Sequence, residues 1–311
     1  NLCGAWPGKT TASATLQEPL PVDPWRLAAI DGHAFCVEED QVEIVSLSSW
    51  RVVSRFSGTY VDQICTDTHW VGVASSMGKL ALDYRNTQGR QFGTPVELPM
   101  DAGDYRASAA DGERLFVAAR NGRILRVELG EASELTPADQ DAELLSLSTQ
   151  KNGLVALIRS GGKDTVRLYG FDGKLQKQLA LGFAGATDYP VHIGERLYVI
   201  DAESRKLMTV NLKKLELSGS ADLPGSTITS FCGVFRKDQH ALLATIGDGE
   251  HTRLYVLDPK TGAAMAVCDV KEPGLHVLVA ESKVVVATSA FYQNMIRVFD
   301  PFKSEQAARA A

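Results

Sequence analysis

The sequence predicts an all-β protein built from seven repeats of a four-stranded antiparallel unit. Three observations carry this. Short runs rich in Val, Ile, Leu and aromatics are each bounded by polar turns. The turn residue opening the most hydrophobic run recurs at His33, His69, Glu113, Gly153, Glu195, Gln239 and Ser282, at spacings from 36 (33 to 69) to 44 (69 to 113) residues. No segment shows the 3.6-residue period that helical repeats of this length require.

The clearest unit spans 237–270. A mostly apolar run at 240–246 meets a Gly247-Asp248-Gly249 turn, 253–257 alternates polar and apolar, 258–262 turns again, and 263–270 supplies a further run, with 228–234 preceding them all. Such a small sheet cannot bury either face alone and needs copies stacked against it.

The other units follow in chain order. Equivalent second strands are expected at 34–37, 70–74, 114–118, 154–158, 196–200 and 283–288, and third strands at 42–47, 80–84, 124–129, 166–171, 207–212 and 296–299. Fourth strands are expected at 51–56, 94–98, 132–135, 174–181 and 216–223, and first strands at 61–65, 106–110, 144–148 and 275–280. Asn121-Gly122 predicts a type I′ hairpin. The seventh unit lacks a fourth strand, and 14–20 (ATLQEPL), which resembles 93–99 (GTPVELP), is expected to supply it. Pro19 and Pro21 are tolerable on that free edge.

Seven four-stranded units, the last completed by an N-terminal strand, resemble a seven-bladed β-propeller. The expected limits are an N-terminal extension at 1–12, one propeller domain at 13–301 and a tail at 302–311. The turn Leu257-Asp258-Pro259-Lys260-Thr261-Gly262 is similar to the D-x-x-T-G turn of quinoprotein-like and surface-layer-type (YVTN-like) propellers, and only the sixth unit carries it fully. The repeated Trp-Asp of WD repeats and the fixed Gly-Gly doublet of kelch repeats are both absent.

Composition narrows the function. A net charge of -6 argues against nucleic acid and polybasic membrane binding, and no apolar run approaches the roughly 18 residues of a membrane span. Of the 5 cysteines, Cys36, Cys65, Cys232 and Cys268 lie in apolar runs, as small hydrophobes do, while Cys3 precedes the repeats. Ala12-Ser13-Ala14 has the pattern of a signal-peptidase site and favours an extracytoplasmic location.

In propellers of the type it resembles, the connections from fourth to first strands and the second-to-third turns share one face, the usual binding surface. Here that face is expected to carry Trp25, Arg26, Tyr60, Tyr105, Arg106, Arg120, Arg159, Phe183 and Tyr189. Trp25-Arg26 and Tyr105-Arg106 stand at equivalent distances before their second strands. Aromatics and Arg dominate binding hot spots, which predicts a protein or peptide partner. The same residues also suit packing at the strand entry, with the Arg side chains paired to acids such as Asp62 or Asp104. A lactonase-type hydrolase using His192, Asp188 and His276 is the alternative. No metal, cofactor or nucleophile elbow is expected, and a quinone enzyme is supported by a single turn only.

Overall fold

The computed structural model describes residues 14–15, 26–37, 40–49, 51–186, 190–225, 227–236, 239–247, 252–258, 263–270, 275–280, 283–288 and 295–299. They form β-strands, with one 3-10 turn at Ala102–Asp104. The first is β1 (Ala14–Thr15). Then come β2 (Arg26–Ile30), β3 (His33–Val37), β4 (Gln41–Ser46) and β5 (Arg51–Ser57). Next are β6 (Tyr60–Cys65), β7 (Trp70–Ser76), β8 (Lys79–Arg85) and β9 (Val96–Asp101). β10 (Tyr105–Asp111), β11 (Arg114–Ala119), β12 (Ile124–Glu128) and β13 (Glu131–Thr136) follow. β14 (Ala142–Gln150), β15 (Gly153–Ser160), β16 (Lys163–Gly170) and β17 (Leu175–Ala180) make the fourth group. β18 (Val191–Ile193), β19 (Arg196–Asp201), β20 (Lys206–Asn211) and β21 (Glu216–Asp222) make the fifth. β22 (Thr227–Arg236), β23 (Gln239–Gly247), β24 (Thr252–Leu257) and β25 (Ala264–Val270) make the sixth. β26 (Leu275–Ala280), β27 (Lys283–Thr288) and β28 (Met295–Phe299) end the series.

Each group is a four-stranded antiparallel sheet in chain order, and β1 adds to β28 to make the last one four-stranded. Ala14 stands opposite Val298 and Thr15 opposite Arg297, while 16–20 of the expected strand lie outside the described residues. The chain divides into two compact units, Trp25–Ala184 with four sheets, and Asn1–Pro24 with Gly185–Ala311, holding three.

Within Trp25–Ala184, apolar residues interleave between neighbouring sheets. Phe35, Ile44, Tyr60 and Trp70 join the first two sheets, Leu82, Leu98, Leu115 and Leu125 the next pair, and Phe116, Ile124, Leu144 and Leu154 the last. The second strands are buried almost end to end, whereas β5 alternates and β17 is nearly all exposed. In the other unit Tyr198, Ile200, Leu242 and Ile246 fill the same role.

Two regularities were not legible as strand patterns. The first strand of four sheets carries a register shift at its start, between Tyr60 and Asp62, Tyr105 and Ala107, Leu144 and Ser146, and Ile228 and Ser230. A bulge there adds one residue and re-aims its side chain. Asn121-Gly122 is also not the expected type I′ turn, because only Gly122 takes positive φ (77°). Ala119 and Arg123 close a three-residue loop instead, since Arg120 is drawn off to bond Asp104 and Leu144.

Gly72 on β7 is where the aromatic packing is tightest: a Cβ there would lie 2.4 Å from Tyr60 Cδ1 and 2.5 Å from Trp70 Cη2. Gly72→Ala is expected to destabilise the protein by about 1–3 kcal/mol, read by denaturant unfolding.

Candidate functional site

In an antiparallel sheet taken in chain order, the second-to-third turns and the connections from fourth strand to next first strand emerge at the same end. In Trp25–Ala184 these segments are tied to one another by backbone hydrogen bonds. Gly58 N–H donates to Asp40 O (2.9 Å), Ser75 N–H to Thr59 O (3.0 Å), Ala102 N–H to Gly78 O (2.7 Å), Arg120 N–H to Asp104 O (2.8 Å) and Asp139 N–H to Asn121 O (2.8 Å). The result is a belt of turns with little freedom of their own.

Tyr60 opens β6 with its ring buried edge-on to Trp70 (centroids 5.2 Å apart), which stacks on Phe35 (5.2 Å, 8°). Its hydroxyl donates to Asp83 Oδ2 at 2.6 Å, an oxygen that also receives Arg85 Nε at 2.8 Å. The Arg85 guanidinium lies 4.2 Å over the Phe56 ring. Burial first, and then the Asp83 carboxylate, push the Tyr60 phenol well above its usual range.

Tyr105 and Arg106 work as a pair pointing opposite ways. Tyr105 is buried, its hydroxyl donates to the Asp62 carboxylate on the preceding sheet, and Ser108 Oγ lies 3.2 Å away. Arg106 is the bulged residue, and its Nε donates to Leu144 O on the following sheet at 3.0 Å. The dipeptide therefore ties the third sheet to both neighbours. Asp62 takes the Tyr105 hydroxyl, and Asp104 offers its backbone carbonyl to Arg120 N–H.

Arg159 grips Asp164 with two bonds, Nε to Oδ1 at 2.8 Å and Nη2 to Oδ2 at 3.2 Å, across the Gly161-Gly162 turn. Asp164 is fully buried, and its backbone pairs with Phe183 O (2.9 Å) and Leu181 N–H (2.8 Å). Arg120, by contrast, holds its place through its backbone and leaves its side chain in solvent; Phe183 is half-buried. Met77, which the sequence reading passed over, stands at the tip of the β7–β8 turn, fully exposed and at φ 51°. The signal was a Met-Gly pair where Asn-Gly is usual.

Trp25, Asp188 and Tyr189 lie outside the described residues, and of Arg26 and His276 only the backbone is described, opposite Val37 and Ala287. His192 Nε2 is 2.8 Å from Gly194 O in its own turn. Among the described residues no three His, Cys, Asp or Glu side chains are grouped to hold a metal, and no helix is long and apolar enough to cross a membrane. Burial pushes the Cys65 thiol up to about 12, which agrees with a packed hydrophobe and not a nucleophile.

The sheets match solved WD40 β-propellers. The chain is similar to the WD40 β-propeller domain of Doa1, with TM-score 0.66 and 14% identity over 97% of this chain and 99% of that one. It is also similar to the Pan2 WD40 domain of Neurospora crassa, with TM-score 0.69 and 11% identity over 95% and 98%. The fold is thus a β-propeller. No family model matches the chain, and no curated protein matches its sequence. Both structures are WD40 propellers, whereas the D-x-x-T-G resemblance rests on a turn whose residues 259–262 lie outside the described residues.

Two outcomes follow from this geometry. The unfolded Tyr60 phenol ionises near its ordinary value of 10.0 while the folded one stays protonated, so the contribution to stability is full below pH 10 and lost above it. Stability should therefore fall more steeply above pH 10 in the parent than in Tyr60→Phe, which itself costs about 1–3 kcal/mol at neutral pH by removing one of the two donors to the buried Asp83 carboxylate. Alkylation of Cys65 by iodoacetamide should stay slow between pH 7 and 9 in the folded protein and become fast in denaturant.

Proposed function

We propose that this chain is a non-catalytic interaction module: a single closed seven-bladed propeller over 13–301 that binds a protein or peptide partner on the belt of turns. The observation that carries this reading is the belt itself. Its turns are held by backbone bonds before any partner arrives, so little ordering entropy opposes association. Exposed side chains stand on it at intervals, among them Met77, Asp104, Arg120 and Lys163.

The expected contact residues divide in two on this reading. Tyr60, Tyr105, Arg106 and Arg159 form the frame, since their polar groups bond neighbouring strands and turns. Arg120 and Phe183 face the partner, and Trp25, Arg26 and Tyr189 join them on the strength of their sequence positions. The WD40 propellers that the chain resembles support a scaffold in general terms only, because the propeller fold hosts binders and enzymes alike. For the lactonase alternative, the one described side chain is that of His192, which bonds within its own turn. Kinship with the quinoprotein-like group remains part of the proposal through the single turn at 258–262.

The test is hydrogen exchange on the chain with a partner co-purified from its native source. Exchange should slow at 76–79, 101–104 and 120–123, and Met77→Asp with Arg120→Glu should weaken binding about 100-fold, a hot-spot loss of roughly 3 kcal/mol, at unchanged melting temperature. A footprint confined to the opposite turns at 66–69 and 112–113 would overturn the assignment.

A further inference from the structure

The β12–β13 hairpin breaks three local rules in one turn. Leu129 and Gly130 both take positive φ (53° and 82°), a type I′ turn in which Asn, Asp or Gly normally stands first. Leu129 is 99% exposed, so no packing compensates its backbone strain. Glu128 and Glu131 flank it directly opposite each other, an unfavourable like-charge pair; Arg126 Nε, half-exposed, reaches Glu128 at 3.8 Å. Folding of the chain alone gains nothing from this arrangement, and local conflicts of this kind gather where a sequence serves something other than its own fold.

A complementary strip lies beside it. Lys174, Leu175 and Lys177 on β17 and its preceding turn are exposed, Lys174 at 84% and Leu175 at 48%, and no acid occurs from 173 to 180. Asp172, 3.4 Å from Lys174, makes only a solvent-exposed pair with it. The strip's turn is seated on β13 itself: a Cβ on Gly173 would lie 2.0 Å from Leu135 O. An acidic knob with an apolar tip and a basic strip with an apolar patch thus sit on the outer strands of adjacent sheets, the strip's turn against the end of β13 away from the knob.

We propose that the chain self-associates as a two-fold dimer in which the Glu128-Leu129-Gly130-Glu131 knob of each copy docks on the Lys174-Leu175-Lys177 strip of the other. A two-fold contact needs a self-complementary surface. Two patches of opposite sign on the outer strands of adjacent sheets provide one, each apolar side chain being covered inside a charged rim. The knob and strip lie on third-to-fourth turns and outer strands, so the dimer leaves the belt of turns free.

The test is sedimentation velocity on the full chain over a concentration series. The parent should dimerise reversibly, more weakly as salt rises. Leu129→Asn restores the preferred Asn-Gly turn, so it should hold or raise the melting temperature while weakening association about tenfold or more. Glu131→Lys and Lys177→Glu should each weaken the dimer, and together on one chain restore it. A parent that stays monomeric at every concentration overturns the proposal, as does a dimer indifferent to Leu129→Asn. Failure of the double charge exchange to restore association overturns the two-fold pairing.

Discussion

In the four sheets of Trp25–Ala184 the second strand is apolar on both faces and largely buried, and that burial is the constraint on which the rest of the structure depends. Phe35, Trp70, Phe116 and Leu154 are all fully buried, and each large side chain withdrawn from water contributes about 1.5–3 kcal/mol. A four-stranded sheet cannot supply that cover itself, so every sheet must be flanked. Interleaving is what turns a weak local pattern into a stable repeat. The pairing of β1 with β28 shows the same constraint at the chain ends, where a distant segment is recruited to complete a sheet.

Apolar contact fixes that sheets stack but not how far each is turned or slid along the next, because it is non-directional. Polar ties supply the direction. Asp62, Asp83 and Asp164 accept phenol or guanidinium donors near the belt of turns, and Arg106 reaches across to a backbone carbonyl. Buried carboxylates of this kind add little net stability, since desolvation offsets much of the attraction. Their effect is to make one register much better than its alternatives, which keeps the exposed turns in fixed relation.

The repeat was legible because alternation, turn residues and spacing all carry the same period; the second and third strands fall close to their expected places. The first strands were harder. The bulges beside Tyr60, Tyr105 and Leu144 depend on pairing with the next strand, and no single-strand pattern encodes them. The fourth strand of the second sheet begins at Val96, beyond the expected 94, because 86–92 folds back through Asn86 and packs Gly89 against Phe56 and Ile44. At the candidate site, Tyr105-Arg106 stands out in the sequence as a departure from the other units. What the sequence does not reveal is direction: whether an aromatic and an Arg turn outward or brace the neighbouring sheets is decided by the bulge, by Asp62, 43 residues from Tyr105, and by the Leu144 carbonyl, 38 residues from Arg106.

Asp83 shows how narrow such a brace makes the choice of residues. One oxygen, Oδ2, serves both Tyr60 and Arg85, while Oδ1 is buried with no partner among the described residues. Asn at this position would bring an amide with no acceptor for its hydrogens and no charge for Arg85. The ring itself is held by close packing, since a Cβ at Gly58 or Gly72 would lie within 2.6 Å of Tyr60. Tyr60, Asp83 and Arg85 are therefore a single unit of inheritance: in descendants of this chain the three should be retained together or replaced together, and an aromatic-free substitute for Tyr60 should appear only where the acid and the arginine have gone as well.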